Sequence, residues 1–156
     1  MAIDLPHAMS IYNKLKKIMD PDLVDKIYEE GNYRSWTNRP SGYRCYVLRP
    51  FLLGHLCGYV ELPKSHKFYN KYYDYIPVSV HGGLTYSEDG VVGFDCAHAG
   101  DLIPSNDVNF EGDTYKDMKY VMRETDELAE QLFALTKVKC DMRSSKKRGR
   151  PRIHAL

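Results

Sequence analysis

The sequence lacks any apolar run near the roughly 20 residues that a membrane-spanning helix needs. Its N-terminus lacks the basic region followed by an apolar stretch that marks a secretory signal peptide. Four cysteines in 156 residues are too few for a disulfide scaffold. These absences predict a cytoplasmic protein with free or metal-bound thiols and no membrane partner.

The sequence also has almost no excess of positive over negative charge. A net charge of +1 gives no overall electrostatic footprint for nucleic acid. The exception is the C-terminal segment, where no apolar residue occurs from Ser144 to Arg152. Such a segment buries too little to offset the entropy of ordering it, so we predict a flexible basic tail over 143–156 and one domain over 1–142.

Hydrophobic periodicity over 1–142 predicts an α+β fold. A helix over Ser10–Met19 and a second after Asp20-Pro21 would form an N-terminal helical hairpin, and a long helix would begin at Thr114 and end near residue 136. Strands are predicted over 43–49, 55–62, 76–80, 83–86 and 91–96, whereas residues 31–42 are rich in loop formers. We expect a mainly antiparallel sheet of about four or five strands with the long helix packed on it.

The stretch from residue 81 to 101 holds the densest set of reactive side chains, namely His81, Asp95, His98 and Asp101. The turn signal Glu88-Asp89-Gly90 predicts a hairpin that brings these side chains to one site. Imidazoles and carboxylates in a cleft perform acid–base catalysis or hold a divalent metal. The structural alternative is that both histidines donate to backbone carbonyls and both aspartates cap turns.

Around this stretch the sequence suggests a ligand pocket formed by Gly82, Gly83, Thr85, Tyr72 and His66. Glycines allow a ligand to come close to the backbone, because they have no Cβ. Glycine amides and a protonated histidine can bind phosphate, and a tyrosine can stack on a base. The expected ligand is a phosphorylated or nucleotide-like small molecule.

Two further patterns suggest other partners. His55-Leu56-Cys57 is mirrored by Cys96-Ala97-His98, so neighbouring strands would give four ligands for zinc or another divalent metal, although buried free cysteine is the commoner outcome. The tail contains Arg-Gly-Arg-Pro, the core of an AT-hook that enters the minor groove of A·T-rich DNA. Its candidate contact residues are Lys147, Arg148, Gly149, Arg150, Pro151 and Arg152.

Three motifs together resemble a family of small hypothetical proteins from tailed phages and prophages. They are His-Gly-Gly-Leu-Thr-Tyr at 81–86, Gly-Phe-Asp-Cys-Ala-His-Ala-Gly-Asp at 93–101, and Cys-Gly-Tyr-Val at 57–60 followed by Pro63 and His66. The resemblance implies a phage or prophage origin and an accessory role, such as binding or destroying a host nucleotide signal or blocking a host protein. It does not extend to the tail.

The sequence therefore leaves three hypotheses. The first is a non-enzymatic or weakly enzymatic binder of a phosphorylated or nucleotide-like ligand that counters host defence signalling. The second is a small metal-dependent or acid–base hydrolase that uses the histidines and aspartates of 81–101. The third is a DNA-associated protein that acts through its tail.

Overall fold

The computed structural model describes residues 21–105 and 109–148, with side chains of the last helix described as far as Lys137. The predicted helix over Ser10–Met19 lies outside these residues. Within the described ranges, no helix is long and apolar enough to cross a membrane.

Five strands form one antiparallel sheet in the order β1-β2-β3-β5-β4. A long helix lies on one face of this sheet, and its buried side chains share a core with those of the central strands. The α+β prediction is confirmed. The strands are β1 Tyr33–Thr37, β2 Arg44–Leu48, β3 Cys57–Glu61, β4 Tyr86–Glu88 and β5 Val91–Asp95.

Two strand predictions are wrong, and the strand predicted over 83–86 lies instead at Tyr86–Glu88. The segment 31–42 contains β1, an edge strand that was predicted as loop. Its Trp36 donates through Nε1 to Asp126 of the long helix at 2.7 Å, and this distant contact is invisible in the local sequence. Conversely, residues 76–80 form no strand, and the backbone of Ser79 bonds instead to the side chain of Gln131.

The first described helix, α1, spans Pro21–Glu30 as the Asp-Pro start signal predicts. Val24 and Ile27 are buried on its apolar stripe. Gly31 ends the helix with φ +78°, and its amide donates to the Ile27 carbonyl at 3.3 Å. A left-handed residue at this position favours glycine, so this end of α1 follows from local sequence.

The long helix, α2, spans Met118–Arg148 and begins later than Thr114. Asp117 caps it, because its Oδ1 accepts the Tyr120 amide at 2.9 Å. Thr114 instead forms a β-bridge with Asp101. This bridge sets the chain that precedes α2 beside the loop that follows β5.

The C-terminal end of α2 lies beyond the predicted end near residue 136. Lysine and arginine are good helix formers, and no glycine or proline interrupts the chain before Gly149. The predicted boundary between residues 142 and 143 therefore falls inside one helix. The rest of the predicted tail, 149–156, lies outside the described residues.

The hairpin of β4 and β5 places the candidate site. Asp89 and Gly90 both have positive φ, +51° and +76°, which is the two-residue type I′ turn that matches strand twist. Alternation along β5 then directs Phe94 into the core beneath α2 and Asp95 to the opposite face. The chain leaves β5 towards His98 and Asp101 at the end of the hairpin remote from the turn.

Candidate functional site

His81 and Asp101 form the buried part of the site. His81 Nε2 lies 2.8 Å from Asp101 Oδ2 and 2.9 Å from Oδ1, while its Nδ1 lies 2.8 Å from the Tyr120 hydroxyl. An ionised carboxylate only accepts, so Nε2 carries a proton when it bonds to Asp101. The His81 amide also donates to Glu124 Oε2 at 3.0 Å. These contacts fix both the backbone and the ring of His81 against α2.

Asp101 is an anchored anion with only 4% of its surface exposed. Lys116 Nζ lies 3.2 Å from Oδ1, and the His98 amide donates to Oδ2 at 3.0 Å. Burial alone would raise the pKa of Asp101. The hydrogen bonds from His81, the His98 amide and Lys116 outweigh burial and hold that pKa below its usual range.

His98 is the less constrained histidine of the site. Its Nδ1 lies 3.5 Å from Asp95 Oδ1 and 3.7 Å from Asp101 Oδ2, and its ring centroid is 6.0 Å from that of His81. Among the described residues this Nδ1 is shielded from solvent yet has no hydrogen-bond partner. The side chain as a whole is 31% exposed. His98 therefore combines access to solvent with an unused ring nitrogen.

Gly82 makes room for the His98 ring. A Cβ built on Gly82 would lie 2.3 Å from His98 Nδ1, and Gly82 has φ +66°. Gly83 has φ +82°, but beyond its two chain neighbours no described residue lies within 4 Å of the place where its Cβ would be. The group that comes close to the backbone at Gly82 is thus the His98 side chain and not a ligand. The space beside Gly83 is open.

His66 was predicted to line the pocket but is a buried structural residue. Its Nε2 donates to the Leu132 carbonyl at 2.8 Å, and its Nδ1 accepts the Phe68 amide at 3.1 Å. Leu132 lies about 18 Å along α2 from Tyr120, because a helix rises about 1.5 Å per residue. His66 is therefore remote from His81 and has both ring nitrogens occupied.

The structure also separates Tyr72 from the histidines. Tyr72 is 54% exposed and follows Asn70, whose side chain accepts the Gly90 amide at 2.7 Å. That contact places the loop at the turn of the hairpin, whereas His98 follows the other end of β5, about 15 Å away at the usual rise of a strand. Thr85 remains near the glycine pair, and its amide donates to the Gly93 carbonyl at 2.9 Å.

The predicted zinc tetrad does not assemble. Cys57 pairs across the sheet with Asp95, and Cys96 belongs to the core cluster under α2, so the two thiols lie on opposite faces. The mirrored motifs are out of register by one residue. His55 is buried, and within the described part of the chain its Nδ1 has no hydrogen-bond partner. Burial lowers the pKa of His55, which keeps its ring neutral.

A different set of possible metal ligands does converge. His81, Cys96 and Asp101 each offer one ligand atom, and these atoms lie within 4.8 Å of one another. Burial, followed by the charge of Asp101, raises the pKa of the Cys96 thiol. The set fits a transition metal, since imidazole, thiolate and carboxylate are the ligand types of zinc sites.

Sequence reasoning missed Lys116, Tyr120 and Glu124. Tyr120 and Glu124 are four residues apart, which places them on one side of α2 and was a signal that they act together, whereas Lys116 lies in the segment just before the helix. Nothing in the sequence said that this side would meet His81 and Asp101.

The candidate DNA contacts fall at the end of the chain. Lys147 and Arg148 are the last residues of α2, and their side chains are outside the described part of the structure. Gly149, Arg150, Pro151 and Arg152 also lie outside it.

Comparison of the chain with protein-family models, with curated proteins and with solved structures finds no match. The geometry of the site is therefore the basis for assigning a function.

Proposed function

We propose that this protein is a small hydrolase whose reaction centre is the cluster of His81, Asp95, His98 and Asp101. The observation that carries the proposal is the chain of contacts through these four side chains, 2.8 Å from His81 to Asp101, then 3.7 Å to His98 and 3.5 Å to Asp95. Imidazoles and carboxylates can move protons to and from a reacting water, directly where they are hydrogen-bonded and through one water where the separation is larger.

The cluster has a buried half and an exposed half. The side chains of His81 and Asp101 are 15% and 2% exposed, while those of His98 and Asp95 are 31% and 28% exposed. A substrate approaching from solvent would therefore meet His98 and Asp95 first. The buried pair, held by Lys116 and Tyr120, would orient the exposed pair and stabilise its charge.

The proposed reaction adds one water across the scissile bond. Asp95 takes one proton as the water oxygen attacks the electrophilic atom. His98 supplies a proton to the leaving oxygen, and proton transfer from Asp95 to His98 restores both groups. Asp95 Oδ1 and His98 Nδ1 are 3.5 Å apart and share no hydrogen bond, so one bridging water or a small movement of His98 would carry this proton.

The proposed substrate is a phosphorylated or nucleotide-like small molecule. Lys116 supplies a positive charge beside Asp101, and the open space at Gly83 lets a ligand approach the backbone. Destroying a host nucleotide signal is the role that such a reaction would have in the phage setting that the motifs imply.

The test is turnover by the full-length protein on a panel of nucleotides, cyclic nucleotides and phosphate monoesters, followed by mass spectrometry and ³¹P NMR. Asp95→Asn should reduce the rate about 10²-fold or more, as loss of a general base does. Its thermal midpoint should stay near that of the parent. Asp89→Asn is the matched control, because this exposed turn residue lies at the far end of the hairpin. Absence of turnover by the parent, or equal rates in the two variants, would refute the proposal.

A further inference from the structure

The carboxylate of Asp101 has its two oxygens in different surroundings. Oδ1 lies 3.2 Å from Lys116 Nζ and 2.9 Å from His81 Nε2. Oδ2 faces both histidine rings, at 2.8 Å from His81 Nε2 and 3.7 Å from His98 Nδ1. Lys116 thus holds the carboxylate by Oδ1, while Oδ2, which also accepts the His98 amide, is the oxygen turned towards both imidazole rings.

Cys96 lies next to this oriented carboxylate. The protein buries the thiol at 2% exposure, and its sulfur is within 4.8 Å of the ligand atoms of His81 and Asp101. In the proposed hydrolytic reaction the thiol has no role. Its place beside an imidazole and a carboxylate needs a separate explanation.

We infer that His81 Nε2, Cys96 Sγ and Asp101 Oδ2 bind one zinc ion or a similar divalent transition metal. Catalytic zinc sites use three protein ligands and keep a fourth position for water. In such tetrahedral sites the donor atoms lie roughly 3.3–3.7 Å apart, so small movements of these three side chains suffice. The inference rests on the proposed function and deepens it, because the metal is what would activate the attacking water.

The unpartnered nitrogen of His98 supports an open fourth position. Within the described structure His98 Nδ1 is buried without a hydrogen-bond partner, although it lies 3.7 Å from Asp101 Oδ2. A shielded polar atom of this kind normally has a partner in the folded protein. A water bound to the metal beside Asp101 would be that partner, and Asp95 would then lie close enough to accept its proton.

Tyr120 would orient His81 towards the metal. A histidine that binds a metal through Nε2 carries its proton on Nδ1, and it usually donates this proton to a fixed acceptor. The Tyr120 hydroxyl lies 2.8 Å from His81 Nδ1 and can accept as well as donate. Tyr120 is thus a positioning residue, and Tyr120→Phe should weaken metal binding about 10–100-fold.

The experiment is titration of the purified full-length protein with Co²⁺ and with Zn²⁺. Binding of Co²⁺ should give a thiolate-to-cobalt charge-transfer band at one equivalent, and Zn²⁺ should displace it. Cys96→Ser should lose the band, whereas Cys57→Ser should keep it, because Cys57 is also a buried thiol but lies on the other face of the sheet. Circular dichroism verifies that both variants fold. Should Cys96→Ser fail to fold, Tyr120→Phe against the exposed control Tyr75→Phe still tests the affinity change.

Each outcome has a defined meaning. No metal near one equivalent, or equal cobalt spectra in the two cysteine variants, would overturn the metal site. Turnover that survives complete chelation would overturn the inference that the metal activates the attacking water, and would leave the proposed hydrolase standing. Stoichiometric metal without turnover would support the site and refute the hydrolase, so the two proposals fail separately.

Discussion

Gly82 and Gly83 provide a matched pair of substitutions that tests whether the cluster depends on the position of His98. Both residues have φ in the left-handed region, +66° and +82°, so an alanine at either position costs about 1–2 kcal/mol of stability. Only at Gly82 does the new Cβ meet another group. It would lie 2.3 Å from Nδ1, 2.4 Å from Cε1 and 2.7 Å from Cγ of His98.

The clash at Gly82→Ala involves the base of the imidazole as well as its tip, so rotation of the ring alone does not relieve it. Overpacking of this kind adds about 1–3 kcal/mol. We expect Gly82→Ala to lower the free energy of unfolding by about 2–5 kcal/mol, against about 1–2 kcal/mol for Gly83→Ala. We also expect displacement of His98 from Asp95 and Asp101 in Gly82→Ala alone.

Urea unfolding measures the two free energies, and two-dimensional NMR of the imidazole nitrogens reports the surroundings of His98. If the two variants lose equal stability and keep the parent imidazole spectrum, the reasoning about Gly82 is refuted. A larger loss at Gly83→Ala would contradict it as well.

Two further predictions concern the buried arginine and the basic end of the chain. Arg49→Met should cost about 3–5 kcal/mol in urea unfolding, because the Arg49 side chain is fully buried and pairs with Glu30 at 3.0 Å, and its loss would remove the cation that neutralises this largely buried carboxylate. The control Arg44→Met breaks an exposed pair at 3.9 Å and should cost about 0–1 kcal/mol, so equal losses would contradict the argument. If the tail is an AT-hook, the full-length protein should prefer A·T-rich over G·C-rich duplex in a binding titration, and changing Arg148 and Arg150 together to alanine should remove that preference. Equal affinity of the parent for both duplexes would reduce the tail to a nonspecific basic end.

Local sequence predicted the elements whose signals act over a few residues. The hairpin of β4 and β5 follows from Asp89-Gly90, because a type I′ turn needs two residues that tolerate positive φ. The start and end of α1 follow from Pro21 and Gly31 for similar reasons. The end of α2 was predicted less well. The basic segment has the composition of a flexible tail, although lysine and arginine are good helix formers.

Strand assignment depended on partners far along the chain. β1 is a strand because it pairs with β2 and because Trp36 donates to Asp126 across 90 residues. Residues 76–80 have strand-like composition, but the backbone of Ser79 is hydrogen-bonded to the side chain of Gln131, and no strand within residues 21–105 or 109–148 pairs with this segment. The composition of a segment does not show whether a sheet edge is free to pair with it.

The candidate site likewise has features that local sequence predicts and features that depend on distant contacts. The sequence identified His81, Asp95, His98 and Asp101 by their density around one turn, and the structure brings all four together. It did not determine that Asp101 would be fixed by its bridge to Thr114 and by Lys116, nor that Cys96 and Cys57 would lie on opposite faces. Those features depend on strand register and on where α2 meets the hairpin, and a shift of one residue in register exchanges the two faces of a strand.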